Sequence, residues 1–381
     1  MEAYLDNSAT TRCSESVRDI MLQVMMEDYG NPSSLHLMGK KAEDYIKEAR
    51  EKIAKTLKVT EKEIVFTSGG TESNNLAIIG SAMANQRAGK HIITTAIEHA
   101  SVAAVVSFLE EQGFEVTILP VDENGQISLE ELEAAIREDT ILVSMMQINN
   151  EMGAIEPVAE AGALIKKKNP NTLFHVDAIQ AYGKYKIRPK KQGIDLLSVS
   201  GHKIHAPKGI GALYLSDRLV QAFQPPYLGG EQERQMRPGT ENLPYAMGLA
   251  AAATRLAKTM KSRDTAMRAL NRQLREGLKA FPEVVINSPE NAVPEVLNFS
   301  EMCIKSETML AFLAEEQIYV SSASACGRGQ PSHTLAAMGR DPLAIDTAIR
   351  VSFCADNTPE DVDAFLNRFE DGMKHLQKIR K

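Results

Sequence analysis

Ser200, Gly201, His202 and Lys203 close the apolar run 195–199, and Gly209 and Gly211 lead from them into a second apolar run at 212–215. A lysine held at a strand end among hydroxyl and imidazole groups, partly desolvated and near other cations, has a lowered pKa. It can form a Schiff base with an aldehyde. A solvated loop lysine is the other reading of this stretch taken alone. The second reactive candidate is Cys326, in the small and polar run 321–330 flanked by Gly327 and Gly329. That run reads as a loop that exposes the thiol, and Arg328 nearby favours the thiolate. Cys13, Cys303 and Cys354 stand in more apolar or helix-like settings and are assigned to packing.

Other groups give the aldehyde an identity, pyridoxal 5'-phosphate (PLP). Asp177 ends the strand-like run 173–177, where a buried carboxylate is costly unless a cation pairs with it. A pyridinium nitrogen is such a cation, and an Asp beside it keeps PLP protonated as an electron sink. An N-cap for the following helix is the alternative. His99, just beyond the strand-like run 91–95, can stack on a flat ring or cap a helix. Gly69, Gly70 and Thr71 join the strand-like run 63–68 to an apolar helix expected over 76–83. Free N–H groups, the helix dipole and the Thr71 hydroxyl make a phosphate cradle there, although a tight turn with an N-cap has the same composition. The spacing is neither GxGxxG nor a P-loop, so no dinucleotide or nucleoside triphosphate site is indicated.

The elements that must position these groups alternate, strand with helix, from about 60 to 215, and the polar groups recur at strand carboxyl ends. Ligands bind there in open, mostly parallel α/β sheets. An acidic helix is expected over 129–137 and a long linking helix over 246–279; beyond about 260, strands and helices mix. The division expected is a large domain, 15–258, and a small α+β domain made of 1–14 with 259–381, which carries the cysteine loop. By composition the clusters at 4–11 and 30–36 are connectors.

The 381 residues are 43% apolar and 24% charged, with a formal net charge of -7, which disfavours nucleic acid as a partner. Four cysteines without a CxxC pair or Cys/His ligand spacing predict neither a disulfide framework nor a metal site. The first residues show no leader pattern, and no apolar run approaches the ~18 residues of a membrane span. A cytoplasmic protein with no membrane association is expected.

Seven stretches, 4–11, 30–36, 66–73, 149–151, 176–180, 200–203 and 237–242, occur in an order that resembles cysteine desulfurases of the NifS/IscS type, class V enzymes of PLP fold type I. The resemblance covers essentially the whole chain. It implies a large domain with a mostly parallel sheet plus a smaller C-terminal domain, PLP as cofactor, and L-cysteine as substrate. By motif it assigns Lys203 the Schiff-base linkage, Asp177 the pyridine nitrogen, Gln180 the phenolic oxygen, and His99 ring stacking with proton transfer. Gly70, Thr71, Ser200 and His202 would hold the phosphate, with Thr240 reaching in from a second subunit, so a homodimer is implied. Asn150 and Arg350 would hold the substrate carboxylate, although an isolated Arg in a C-terminal strand also suits a surface ion pair. Cys326 would take the sulfur as a persulfide and pass it to an acceptor protein, a scaffold for iron-sulfur clusters or an enzyme of thio-cofactor or tRNA thiolation. Two positions depart from the family pattern: Ala206 and Ala323 stand where glycine is usual. Alternatives are selenocysteine lyase, a class V aminotransferase, or a PLP-binding scaffold without turnover.

Overall fold

Most strands between residues 64 and 215 carry apolar residues at adjacent positions, and such strands are stable when both faces of their sheet are covered. The computed structural model, which describes residues 2–219, 223–322 and 331–379, shows how this is met. Ala323, Cys326 and Arg328 lie outside the described residues. In chain order the first elements are β1 (Ala3–Tyr4), α1 (Glu15–Met26), α2 (Leu37–Leu57), β2 (Ile64–Thr67), α3 (Gly70–Asn85), β3 (His91–Thr95), α4 (Ala100–Glu111) and β4 (Glu115–Leu119). They continue as α5 (Leu129–Ala135), β5 (Thr140–Met146), α6 (Val158–Lys168), β6 (Leu173–Asp177), β7 (Leu196–Ser200), β8 (Gly211–Leu215) and α7 (Leu243–Leu278). The remainder is β9 (Val285–Ile286), β10 (Val296–Ser300), α8 (Ser306–Glu315), β11 (Ile318–Tyr319), α9 (His333–Ala337), α10 (Pro342–Asp346), β12 (Ala348–Ser352) and α11 (Pro359–His375).

Seven strands form the main sheet in the order β2-β8-β7-β6-β5-β3-β4. Only β8 runs antiparallel to its neighbours, as the return arm of the hairpin that carries Lys203. The side-chain period of two then sorts neighbouring residues to opposite faces. Ile93, Val143, Phe174, Leu197 and Tyr214 join the core with α1, α2, α6 and α7, whereas Ile92, Leu142, Leu173, Leu196 and Leu213 join the core with α3 and α4. The α/β sheet expected from the alternation is thus present, with both faces covered.

A third core holds Ala3 and Leu5 together with apolar residues of α7 from Met267 onward, β10, α8, β12 and α11. Around it β12-β10-β9 form an antiparallel sheet and β1 pairs in parallel with β11. The single 36-residue helix α7 buries its first half in one core and its second half in the other.

Two expected helices differ. The helix expected from residue 76 begins at Gly70: the turn is completed by Gly69, with φ of +153°, so the glycine pair is the helix start itself. The helix expected to 137 stops at Ala135. Cys13, expected to pack, is exposed beside the N-cap of α1.

The third core also contains a buried acid. Glu301, fully buried after β10, has no partner for either carboxylate oxygen among the described residues, and burial pushes its pKa up to about 8. Below the ordinary carboxylate pKa both folded and unfolded states hold the proton. As pH rises toward about 8 the unfolded chain has released it while the folded protein keeps it. Stability therefore falls over that window by up to ~1.4 kcal/mol per pH unit and levels off above it. Melting Glu301→Gln beside the parent from pH 5 to 9 should show a shallower loss for the variant and a higher Tm at pH 8; parallel curves would count against it. Glu156, also pushed up by burial to about 8, leaves part of the slope in place.

Candidate functional site

Parallel strands end on one edge, and the residues there lie where each chain leaves the sheet. One cleft at this edge is lined by Gly70, Thr71, His99, Asn150, Asp177, Gln180, Ser200, His202, Lys203 and Arg350, with Ser8, Ala9, Ser101, Met146, Ile148 and Ile179. Ten of the twelve residues singled out in the sequence therefore meet in one place. Of the other two, Thr240 is exposed on the segment before α7 and does not line the cleft of its own chain, and Cys326 lies outside the described residues.

Lys203 stands in the turn between β7 and β8, and its Nζ donates to the backbone carbonyls of Ser8 and of Ala9, the latter at 2.8 Å. The composition of 4–11 suggests a connector, so this partner was not anticipated. His202 beside it is pushed down to about pKa 4 by burial and by the Lys203 and Lys208 charges. Its Nδ1 lies 3.2 Å from Thr10 Oγ1. Of the two readings of His99, the structure bears out the helix cap. His99 lines the cleft and also caps α4, Nδ1 accepting from the Ser101 amide at 3.1 Å. Burial lowers its pKa, against the pull of Asp177 and with the push of Lys203.

Asp177 is buried at the end of β6, 4% exposed. Oδ1 accepts from the Ile179 amide at 2.9 Å, closing a turn, and Oδ2 accepts from Asn74 Nδ2 at 2.8 Å; no helix follows β6 directly, so the helix cap expected as the alternative is corrected. These bonds to the charged form do not offset desolvation, and the carboxyl is held above its ordinary pKa. Asn74 was not anticipated; its place three residues after Thr71 on one helix was the available signal. Across the cleft, Thr71 stands on the first turn of α3, whose free N–H groups and dipole favour an anion. A Cβ on Gly70 would meet Ile179 Cδ1 at 2.2 Å, so any side chain there would require Ile179 to shift.

Arg350 corrects the surface-ion-pair alternative. It lies at the centre of β12, 1% exposed, donating through Nη1 to the Asn150 carbonyl at 3.0 Å and through Nη2 to Asp6 Oδ1 at 2.8 Å. Its Nε has no partner among the described residues. The departure at Ala206 is accommodated: its methyl is buried in the large core, its φ is negative, and its amide donates to the Gly201 carbonyl at 3.1 Å.

Residues 3–365 match the model of the family described as aminotransferase class-V. The chain belongs to that family. Its members depend on PLP. A cysteine desulfurase IscS of Methanosarcina thermophila is 44% identical over 379 residues, covering 99% of this chain and 93% of the relative. Among solved structures, a NifS-like protein superposes with a TM-score of 0.93 at 40% identity, covering 98% of this chain and all of the other. SspA in complex with cysteine superposes with a TM-score of 0.82 at 34% identity, covering 92% of this chain and 98% of that one. The resemblance to NifS/IscS-type desulfurases read from the motifs is borne out over nearly the whole chain.

The residues of the cleft fit PLP on their own chemistry. Asp177 is a desolvated carboxyl with a raised pKa, which a protonated ring nitrogen would stabilise; α3 presents an anion site; and Lys203 supplies the amine.

Proposed function

We propose that this protein is a PLP-dependent cysteine desulfurase that converts L-cysteine to L-alanine and hands the sulfur on as a persulfide of Cys326. The observation that carries the reading is the meeting of Lys203, Asp177, His99 and Arg350 in one cleft of a chain 44% identical to a cysteine desulfurase.

PLP, when bound, makes the substrate Cα acidic and accepts the electron pair that its proton leaves behind. The chain's own residues do the rest. Asp177 holds the ring nitrogen protonated, while Gly70, Thr71, Ser200 and His202 bind the phosphate and Gln180 binds the phenolic oxygen. His99, kept neutral by burial, packs on the ring, and Lys203 Nζ is placed to take and return the Cα proton. Arg350 Nε and the Asn150 side chain hold the substrate carboxylate. The Cys326 thiolate attacks the substrate sulfur: an S–S bond forms, the C–S bond breaks, and its electron pair stays with the carbon that becomes alanine after protonation.

Thr240, exposed on its own chain, reaches a second copy's phosphate site in a homodimer. The division into a domain of 15–258 and one of 1–14 with 259–381 is supported by the third core, which gathers both ends of the chain. The acceptor is a sulfur-carrying partner in iron-sulfur cluster, thio-cofactor or tRNA biosynthesis, and the compartment is cytoplasmic. No helix among the described residues is long and apolar enough to cross a membrane.

The test is release of sulfide and alanine from L-cysteine with a thiol reductant, for the parent and Cys326→Ser. Loss of both products in a variant that retains bound PLP supports the reading; a Cys326→Ser variant as active as the parent shifts it to a lyase or aminotransferase. A second expectation concerns the carboxylate clamp. Arg350→Lys keeps the charge toward Asp6 but loses the planar fork, so the KM for cysteine should rise roughly tenfold or more, with kcat less affected. Initial rates against cysteine concentration decide it, and an unchanged KM would remove Arg350 from substrate binding.

A further inference from the structure

Behind Lys203 lies a second, smaller cavity lined by Lys203, Lys184, His205, Arg263, Glu295 and Cys354, among others. Lys184 joins it to the cleft. Its Nζ donates to Gln180 Oε1 at 3.0 Å, and Gln180 Nε2 donates in turn to the Ser8 carbonyl at 3.0 Å, the same carbonyl that receives Lys203 Nζ. An ammonium can only donate and a backbone carbonyl can only accept, whereas a side-chain amide can present either end. Lys184 and Ser8 therefore admit one orientation of the Gln180 amide, with oxygen toward Lys184 and nitrogen toward Ser8. With its oxygen turned to Lys184, Gln180 can offer the nitrogen's second hydrogen to a ligand in the cleft.

We propose that Lys184 is a positioning residue: its ammonium fixes the Gln180 amide so that Gln180 donates to, and never opposes with its own oxygen, the phenolic oxygen of the bound cofactor. The inference rests on the reading of the cleft as a PLP site. Without Lys184 the amide can turn over and present its carbonyl to an oxygen of like polarity. Charged and titratable groups around Lys184 include Glu295, Arg263, Cys354, Arg350, His205 and Lys203. Glu295 favours the ammonium; burial and the two arginines oppose it.

A hydrogen bond donated to the phenolic oxygen makes that oxygen a poorer partner for a neighbouring proton. Losing the donor should move the absorbance transition of bound PLP to higher pH, by about one unit. The experiment is a pH titration of that absorbance in the holoenzymes of the parent, Lys184→Met, Lys184→Arg, Gln180→Ala and the Lys184→Met/Gln180→Ala double variant. The expected result is an upward shift in Lys184→Met, the parental transition in Lys184→Arg, and a double variant that moves no further than Gln180→Ala. An unshifted Lys184→Met overturns the proposal even if that variant melts earlier. So does a Lys184→Met shift that persists undiminished in the Gln180→Ala background, since Lys184 would then act by charge alone. A parent with no PLP absorbance would instead strike at the reading of the cleft.

Discussion

Lys203→Ala should lower sulfide and alanine release from L-cysteine by about 10³-fold or more, the range lost with a positioned proton-transfer group and nucleophile. Lys203 sits where β7 ends, and its Nζ is held by the carbonyls of Ser8 and Ala9, so its amine is placed by the backbone of one segment distant in sequence. None of the other cleft residues combines an amine with that position. Arg350 is spoken for by Asn150 and Asp6, and Lys184 faces Gln180 from behind. Asp177, the α3 N-terminus and His99 are untouched by the substitution, so the variant should still bind PLP, though without its linkage to the protein. The checks are product release and the absorbance of bound PLP after dialysis. A variant that turns over within tenfold of the parent would remove Lys203 from the mechanism.

Asp177→Asn should separate stability from activity. The apoprotein carries a buried carboxyl that desolvation holds above its ordinary pKa, so at neutral pH this group lowers stability. Asn keeps the size and can still accept from the Ile179 amide. Its new N–H₂ would face Asn74 Nδ2, but Asn74 Oδ1 has no partner among the described residues, so that amide can turn and accept, giving up its bond to Ser101 Oγ. The apoprotein variant should therefore melt no lower than the parent and, at pH 8, higher by ~1 kcal/mol of stability. Turnover should fall by roughly 10²-fold, because a neutral amide cannot keep the ring nitrogen of PLP protonated. Thermal melts of the two apoproteins, paired with steady-state rates after PLP loading, test both halves. A less stable apoprotein would mean that the carboxylate is structurally required, and an unaltered rate would mean that it does not serve the ring nitrogen.

The chemistry of these two predictions was visible in different degrees. The strand-turn pattern alone put Lys203, Asp177 and Thr71 at strand ends or helix starts, because alternation of apolar residues and the placement of glycines depend on neighbours within a few positions. The alternation of strand and helix foretold a mostly parallel sheet. Residue roles such as that of Gln180 came from the resemblance, since periodicity carries no information about what a side chain binds.

What only the tertiary structure decided are the contacts that close over long separations. Lys203 finds Ser8 across 195 positions, Arg350 finds Asp6 across 344, and Asp177 finds Asn74 across 103. The N-terminal segment looked like a connector because its small polar residues follow neither a helix nor a strand period. Its partners are β12 and the Lys203 turn, with Asn7 bonded to Ser352 and Thr11 to His202. Arg350 suits a surface ion pair by sequence because its neighbours do not reveal that β12 packs against the N-terminal segment and the turn at Asn150. In each case local pattern sets the element and the edge to which a residue belongs. Which groups then face one another across that edge is set by how separate elements pack, and burial in that packing moves the acids and imidazoles away from their ordinary pKa values.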